Sequence, residues 1–266
     1  MSDPLNCHFV SRFLTKPWEW GQRQLHYYDF DEKRIRWRSS ESLSSQHQNN
    51  SPETDRRLNR VIETPLSRAL PDLLDPSGPT TISEWDVYRA LLLLLPLQAA
   101  RFDPSDDLLE KTINRPDAEL DAMAQASEQM FLLHLVRCPE GFRFFYPEAG
   151  LFSMPLAVRD SVTFVLAMPL SPTTAVVGIA RSVASEVTLT PQVASHLAEA
   201  SVGAGDASRR VVIHPDIVNE TEASAIVTRI EALRASLTDL IQQAERVNAL
   251  HRRAQEIAGL VKPGAR

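Results

Sequence analysis

The C-terminal segment from residue 220 to residue 260 constrains the fold most, because it contains no proline and only one glycine, Gly259. This composition predicts a single long helix, which at 1.5 Å per residue would extend about 60 Å. The segment has two interpretations: an amphipathic helix on its own domain, or a coiled-coil arm that joins two chains in a homodimer. Its apolar residues recur in alternating steps of four and three, the heptad spacing: Ile226, Ile230, Leu233, Leu237, Leu240, Ala244 and Val247.

Upstream of that helix the apolar pattern changes between the helical and the strand period, which predicts an α+β core domain over residues 1–218. We expect helices over 52–73, 83–101, 117–136 and 191–200. We expect a hairpin at 24–38 and strands at 142–146, 161–168, 174–181 and 210–214. The predicted fold is an antiparallel-rich sheet with packed helices, followed over residues 219–266 by the long amphipathic helix.

The most apolar run of the chain, ALLLLLPL at 90–97, lies in an uncharged stretch of residues 90–100 flanked by Arg89 and Arg101. This stretch is well short of the roughly 18 residues that a membrane-spanning helix needs. It also contains a proline and Gln98. We therefore expect a helix buried in the core rather than a membrane segment.

Composition limits the class of function. The formal net charge of −6 argues against a basic coat for nucleic acid but is compatible with a local basic patch. Two cysteines, Cys7 and Cys138, are too few for a disulfide framework or a cysteine-rich zinc site, which favours a reducing compartment. The N-terminal sequence MSDPLNCHFV lacks the regions of a secretion signal, so we expect a cytoplasmic protein.

The usual local catalytic motifs do not occur in the sequence. None of the 9 glycines follows the spacing of a phosphate-binding loop, and no HExxH, CxxC or GxSxG motif is found. No cluster has metal-ligand spacing, so the sequence names neither a metal nor another cofactor. Cys7 and His8 are neighbours, but neighbours on a strand point to opposite faces, which disfavours a nucleophile–base pair. His134 lies in the apolar run 131–135, where a core histidine is expected.

The segment KRIRWR at 33–38 carries the strongest electrostatic pattern. On a strand, Arg34, Arg36 and Arg38 share one face, and Trp37 lies between two of them in sequence. Cations interleaved with aromatic rings can contact phosphates and stack on bases, so these four are candidate nucleic-acid-binding residues. The alternative is a solvated outer face of the hairpin, balanced by acidic residues of the preceding strand and turn.

Several short motifs also occur in a characteristic order. They are HFVSRFLTKPW at 8–18, LHYYDF at 25–30, Ile62 with Glu63, Gln98-x-x-Arg101, FYPEAGLFSMPL at 145–156, MPLSP at 168–172 and a helix after Asn219. In this order they resemble the DUF4238 family of bacterial and fungal proteins, over about residues 8–230. The chain departs from the family pattern where the histidine segment lacks a proline and where Ser153 or Met154 replaces an aspartate. If that aspartate were catalytic in the family, this chain would be inactive.

The resemblance directs attention to His8, Glu63, Gln98 and Arg101. An N-terminal hairpin that joins the C-terminal strands would bring these four residues around one cleft. There a histidine could act as general base, a carboxylate could orient it or bind a metal, and an arginine could bind phosphate. The leading hypothesis is a nuclease-like protein that hydrolyses phosphoester bonds. The alternative is a non-catalytic module that binds a nucleic acid or a protein through the arginine face of the hairpin and the C-terminal helix.

Overall fold

The computed structural model describes residues 6–8, 12–21, 23–40, 45–47, 51–100, 108–158, 161–203 and 209–260. Two four-stranded antiparallel sheets and the helices packed against them confirm the predicted α+β class. The strands are β1 (Asn6–His8), β2 (Gln24–Asp29), β3 (Arg34–Ser39), β4 (Ser45–His47), β5 (Phe131–Arg137), β6 (Tyr146–Pro147), β7 (Phe152–Val158), β8 (Ser161–Pro169), β9 (Thr174–Ala180) and β10 (Arg210–Ile213).

The helices account for most of the remaining described residues. They are α1 (Arg12–Thr15), which continues as the 3-10 turn Lys16–Trp18, then α2 (Pro52–Leu58), the π-helical turn Asn59–Glu63, α3 (Thr64–Leu74), α4 (Trp85–Ala100), α5 (Leu108–Ile113), α6 (Asp117–Met130), α7 (Arg181–Ala184), α8 (Pro191–Ala200), α9 (Pro215–Glu220) and α10 (Ala223–Leu260).

The first sheet has the strand order β3-β2-β10-β6, so the predicted N-terminal hairpin, which is confirmed, joins a C-terminal strand. Tyr28 lies opposite Val211, and Tyr27 lies opposite Val212. Successive strand residues point to opposite faces. Tyr27 and Val212 therefore face the main core, whereas Tyr28 and Val211 belong to a second cluster that includes Ile230 of α10.

The second sheet has the order β5-β9-β8-β7, and a two-stranded sheet pairs β1 with β4. The central strand β9 (TAVVGIA) is buried over almost its whole length, as expected for an apolar strand covered on both faces. Pro155 lies on β7, an edge strand of this sheet, and edge strands accommodate proline because one of their sides has no ladder partner. The second sheet thus supplies much of the main core.

The apolar helix α4 lies inside the core, as predicted. Its residues Leu91 to Leu95 are each at most 6 % exposed, and Leu97 is buried with them. No helix among the described residues is sufficiently long and apolar to traverse a lipid bilayer.

The predicted helix over 52–73 is divided by the π-helical turn that precedes Pro65. Ser51 starts α2 by accepting a hydrogen bond from the N–H of Thr54 at 3.2 Å, with Pro52 at the first helical position. Pro65 has no N–H to continue the α-helical ladder, which is consistent with the break at that point.

The long helix α10 follows the predicted range and packs on its own chain. Ile226, Ile230, Leu237 and Ala244 of the heptad stripe are each at most 5 % exposed. Further along, the Asn248 side-chain amide binds both backbone groups of Val162 on β8, accepting from its N–H at 3.2 Å and donating to its carbonyl at 2.9 Å. Packing on its own domain, the first of the two interpretations, therefore describes these residues.

Three predicted boundaries were wrong. The helix expected over 117–136 ends at Met130, because residues 131–137 pair with β9 and take their backbone hydrogen bonds from the sheet. The strand expected at 142–146 is reduced to Tyr146–Pro147, whereas Phe152–Val158, where no strand was expected, forms β7. These errors arise where non-local pairing overrides the local pattern.

Candidate nucleic-acid-binding surface

The structure locates the four predicted catalytic residues only in part. His8 lies on β1 opposite Ser45, and Gln98 lies in the last turn of α4, but the side chains of both are outside the described part of the chain. Glu63 is the last residue of the π-helical turn and is partly exposed. Arg101 lies outside the described residues. The convergence of the four on one cleft therefore stays a prediction.

A metal-dependent version of the predicted cleft gains no support from the described side chains. Among the described residues, no group of three or more His, Cys, Asp or Glu side chains is arranged to hold a metal ion.

The β2–β3 hairpin is fully described, and its turn is held by its own carboxylate. Asp29 ends β2, and its Oδ1 accepts hydrogen bonds from the N–H groups of Asp31 and Glu32, each at 3.1 Å. Aspartate stabilises turns in this way because its short side chain reaches the backbone two residues ahead. Lys33 completes the turn with a φ of 51°. The position of Glu32 relative to β3 is consequently fixed.

The strand register places the three arginines on one face, as predicted. Arg36 lies opposite Tyr27 and Arg38 lies opposite Leu25, and both partners are buried in the main core. The arginines therefore lie at the edge of the sheet on the side whose β2 residues face the core, and Arg34 and Arg38 are exposed to solvent. Trp37 lies on the other face, opposite His26. The outer edge of β3, which pairs with no other described strand, separates these two kinds of side chain.

Aromatic rings form a short row on the second face of the hairpin. Trp37 is 62 % exposed, and its cross-strand partner His26 has its ring 4.4 Å from the ring of Trp20, which is 37 % exposed. Partial burial lowers the pKa of His26 below its usual value, which favours the neutral imidazole. The row thus offers flat and mostly uncharged surfaces beside the arginines.

The arginines of the hairpin differ in whether a carboxylate neutralises their charge. Glu32 Oε2 accepts a hydrogen bond from Arg34 Nε at 2.7 Å and also pairs with Arg36. Within the described part of the chain, Arg38 has no ion-pair partner. Five basic and three acidic residues lie between Arg23 and Arg38, giving this segment a formal charge of +2 in a chain of −6. The hairpin is therefore a local basic patch on an acidic protein.

The hairpin is anchored from the side of β2. Arg210 on β10 places its Nε 3.3 Å from Asp29 Oδ2 and its Nη1 3.3 Å from Glu148 Oε1. Burial raises the pKa of Glu148, although the charge of Arg210 opposes this shift. On the opposite face, Tyr28 donates a hydrogen bond to Glu231 of α10. Desolvation and the nearby carboxylate together raise the pKa of the Tyr28 phenol.

A separate cavity of about 400 Å³ lies between β5 and the first turn of α8, and sequence reasoning missed it. His134 and Cys138 line it, but residues four apart along extended chain are separated by about 13 Å, too far for a nucleophile–base pair. Burial raises the pKa of the Cys138 thiol to about 12, so the reactive thiolate is scarce at neutral pH. No local pattern in 131–137 marks the strand that forms this wall, because that strand is set by its pairing with β9.

Comparisons of this chain with family profiles, curated proteins and solved structures gave no match. The resemblance to the DUF4238 family therefore stays a prediction.

Proposed function

We propose that this protein binds single-stranded nucleic acid along the free edge of β3. The observation that carries the proposal is the exposure of the Trp37 ring, 62 %, on an edge strand between Arg36 and Arg38. Proteins that bind single strands without sequence preference combine cations that follow the phosphates with aromatic rings that stack on the bases. Strand β3 carries both arginine cations and an aromatic ring on successive residues. Its outer edge pairs with no other described strand of the first sheet.

An extended ligand fits the alternation of β3 better than a duplex does. The arginines point to one face and Trp37 to the other, so the ligand must reach around a strand edge to contact both. A flexible single strand can turn its bases and its phosphates to different sides, whereas a duplex buries its bases in the stack. The proposed ligand is therefore a short single-stranded segment of a few nucleotides.

Fluorescence anisotropy with a labelled 12-nucleotide oligothymidylate tests the proposal. Trp37→Ala should weaken binding at least fivefold, because one base–aromatic stack contributes about 1–3 kcal/mol. Arg38→Ala should reduce the slope of log affinity against log salt by about 0.7, the value for one contact to a single-strand phosphate.

Two exposed residues outside the hairpin provide matched controls, Trp85→Ala on α4 and Arg252→Ala on α10. Both should leave affinity and salt slope unchanged. Absence of binding at 50 mM salt, or equal losses in controls and hairpin variants, would contradict the proposal. A polyglutamate peptide that binds more tightly than the oligonucleotide would instead assign the hairpin to an acidic protein partner.

Phosphoester hydrolysis is a second candidate, and the position of Glu63 favours it. Glu63 closes a π-helical turn, a local irregularity that is frequent at functional sites. Hydrolysis of a phosphodiester such as bis(p-nitrophenyl) phosphate, with and without divalent cations, should then be abolished by Glu63→Gln and by His8→Ala. The exposed Glu53→Gln on α2 is the control. Activity that survives both substitutions would rule out the predicted roles of these residues.

We propose that a homodimer of this protein would form through α10, by way of the apolar side chains that remain exposed after α10 packs on its own chain. Leu240 and Val247 of the predicted stripe are 45 % and 43 % exposed, and Leu250 is 69 % exposed. Leu240 precedes Val247 by seven residues, and Val247 precedes Leu250 by three, so all three lie near one another on one helical face. Light scattering should detect a dimer that Leu240→Asp with Leu250→Asp converts to monomer. A monomeric wild type at micromolar concentration would exclude this interface.

A further inference from the structure

One carboxylate oxygen on the hairpin is shared by two guanidinium groups. Glu32 Oε2 lies 2.7 Å from Arg34 Nε, and the same oxygen pairs with Arg36 Nη2. Arg34 and Arg36 are two residues apart on one strand face, so their guanidinium groups can converge on one acceptor. The two arginines therefore form a small anion site, and it is occupied by a side chain of the same hairpin.

The turn holds Glu32 in this position. Its backbone N–H donates to Asp29 Oδ1, which also accepts from Asp31, and Asp29 itself is held by Arg210. The backbone of Glu32 is therefore fixed two residues before β3, and its side chain reaches along the strand to Arg34 and Arg36. The conformation of the turn depends on the hydrogen bonds from its backbone N–H groups to Asp29 and not on the Glu32 carboxylate.

An oxygen that bridges two guanidinium groups has the charge and geometry that a phosphate oxygen would supply. Charged hydrogen bonds from arginine to carboxylate and to phosphate are chemically equivalent in this respect. We propose that Glu32 is an internal competitor, whose carboxylate occupies the phosphate site of Arg34 and Arg36 and reduces the affinity of the hairpin for single-stranded nucleic acid. This inference rests on the proposed function of the same surface.

The competitor is easily displaced, because all three partners are partly exposed to water. The side chains of Arg34, Arg36 and Glu32 are 60 %, 33 % and 39 % exposed, and solvent screens ion pairs of this kind. The pair therefore lowers affinity without preventing binding. Removing the carboxylate should tighten binding by about three- to tenfold, the range expected when two weak ion pairs, with Arg34 and with Arg36, no longer compete.

The test compares Glu32→Gln with Asp31→Asn, using the labelled 12-nucleotide oligothymidylate over a series of salt concentrations. Both substitutions remove one negative charge from the same turn, but only Glu32→Gln releases Arg34 and Arg36. Glu32→Gln should bind about three- to tenfold more tightly than wild type, and its salt slope should steepen by about 0.7 to 1.4, for one or two additional phosphate contacts. Asp31→Asn should change affinity less than twofold.

Three outcomes separate the inference from the proposed function. If the wild type binds and Trp37→Ala weakens binding, but Glu32→Gln leaves affinity and salt slope unchanged, the competitor role is wrong and the binding surface stands. If Asp31→Asn tightens binding as much as Glu32→Gln, general charge explains the gain and the inference fails. If neither wild type nor Glu32→Gln binds, the proposed function itself fails. Glu32→Ala, which keeps the turn backbone, repeats the measurement independently.

Discussion

The packing of α10 on its own domain makes a sharp prediction about two leucines of the same stripe. Leu237 is 5 % exposed and touches the main core, whereas Leu240 is 45 % exposed, although both belong to the predicted heptad pattern. Replacing either by alanine removes the same three carbon atoms. Their effects on the free energy of unfolding should therefore differ only through burial.

The expected difference follows from the buried area. Three buried carbons at about 0.8 kcal/mol each give about 2.4 kcal/mol for Leu237→Ala, and the cavity term raises this to about 3 kcal/mol. For Leu240→Ala, a little over half of the transfer term applies and water fills the space, so we expect about 1 kcal/mol. Leu250→Ala, at 69 % exposure, is the control and should cost less than about 1 kcal/mol.

Urea unfolding followed by circular dichroism measures these values. With a slope of about 3 kcal/mol per molar urea, Leu237→Ala should lower the midpoint by about 1 M and Leu240→Ala by about 0.3 M. The experiment is repeated at two protein concentrations, because association through Leu240 would make its cost depend on concentration. Equal costs for the two leucines at all concentrations would refute the packing argument.

Two further predictions concern titratable groups. The raised pKa of Glu148 means that the folded state binds a proton at this carboxyl more readily than the unfolded state does. As the pH rises above 4.5, the usual pKa of a glutamate, ionisation of Glu148 therefore opposes folding. Glu148→Gln should accordingly raise the urea midpoint at pH 7.5 relative to wild type and lose this advantage near pH 4; a constant difference would contradict the sign. Cys138, with its pKa near 12, should react with a thiol reagent at pH 8 much more slowly in the folded protein than after unfolding in urea.

The elements that sequence reasoning predicted well are those whose signal is local. Residues 220–260 carry a period repeated over many turns, and the structure has a helix over Ala223–Leu260. The hairpin and the helix over Pro191–Ala200 were also predicted, and in the structure that helix begins after Thr190, whose hydroxyl accepts a hydrogen bond from the N–H of Val193. The sequence analysis considered a hairpin that joins the C-terminal strands, but it predicted neither β10 as the partner strand nor the register.

The elements that were missed depend on contacts between distant residues. Nothing near Met130 ends a helix, since the apolar spacing of 117–136 is compatible with continuation, and only pairing with β9 converts 131–137 into a strand. Likewise, Arg210 and Asp29 are 181 positions apart, so no local pattern predicts their ion pair. The contacts of Glu32 are local instead. Glu32 precedes Arg34 by two residues and Arg36 by four, so the sequence alone could have indicated them.

The anchoring of the hairpin supports the binding role proposed for the exposed Trp37. Tyr28 is fully buried and bonded to Glu231, and the guanidinium of Arg234 lies 3.7 Å from the centre of the Phe30 ring, so α10 holds one face of the hairpin. Arg210 holds its base through Asp29. With these contacts on the inner side, the edge residues of β3 are presented on a frame that is already ordered. Binding there would require little ordering of the backbone, which favours affinity from a small number of contacts.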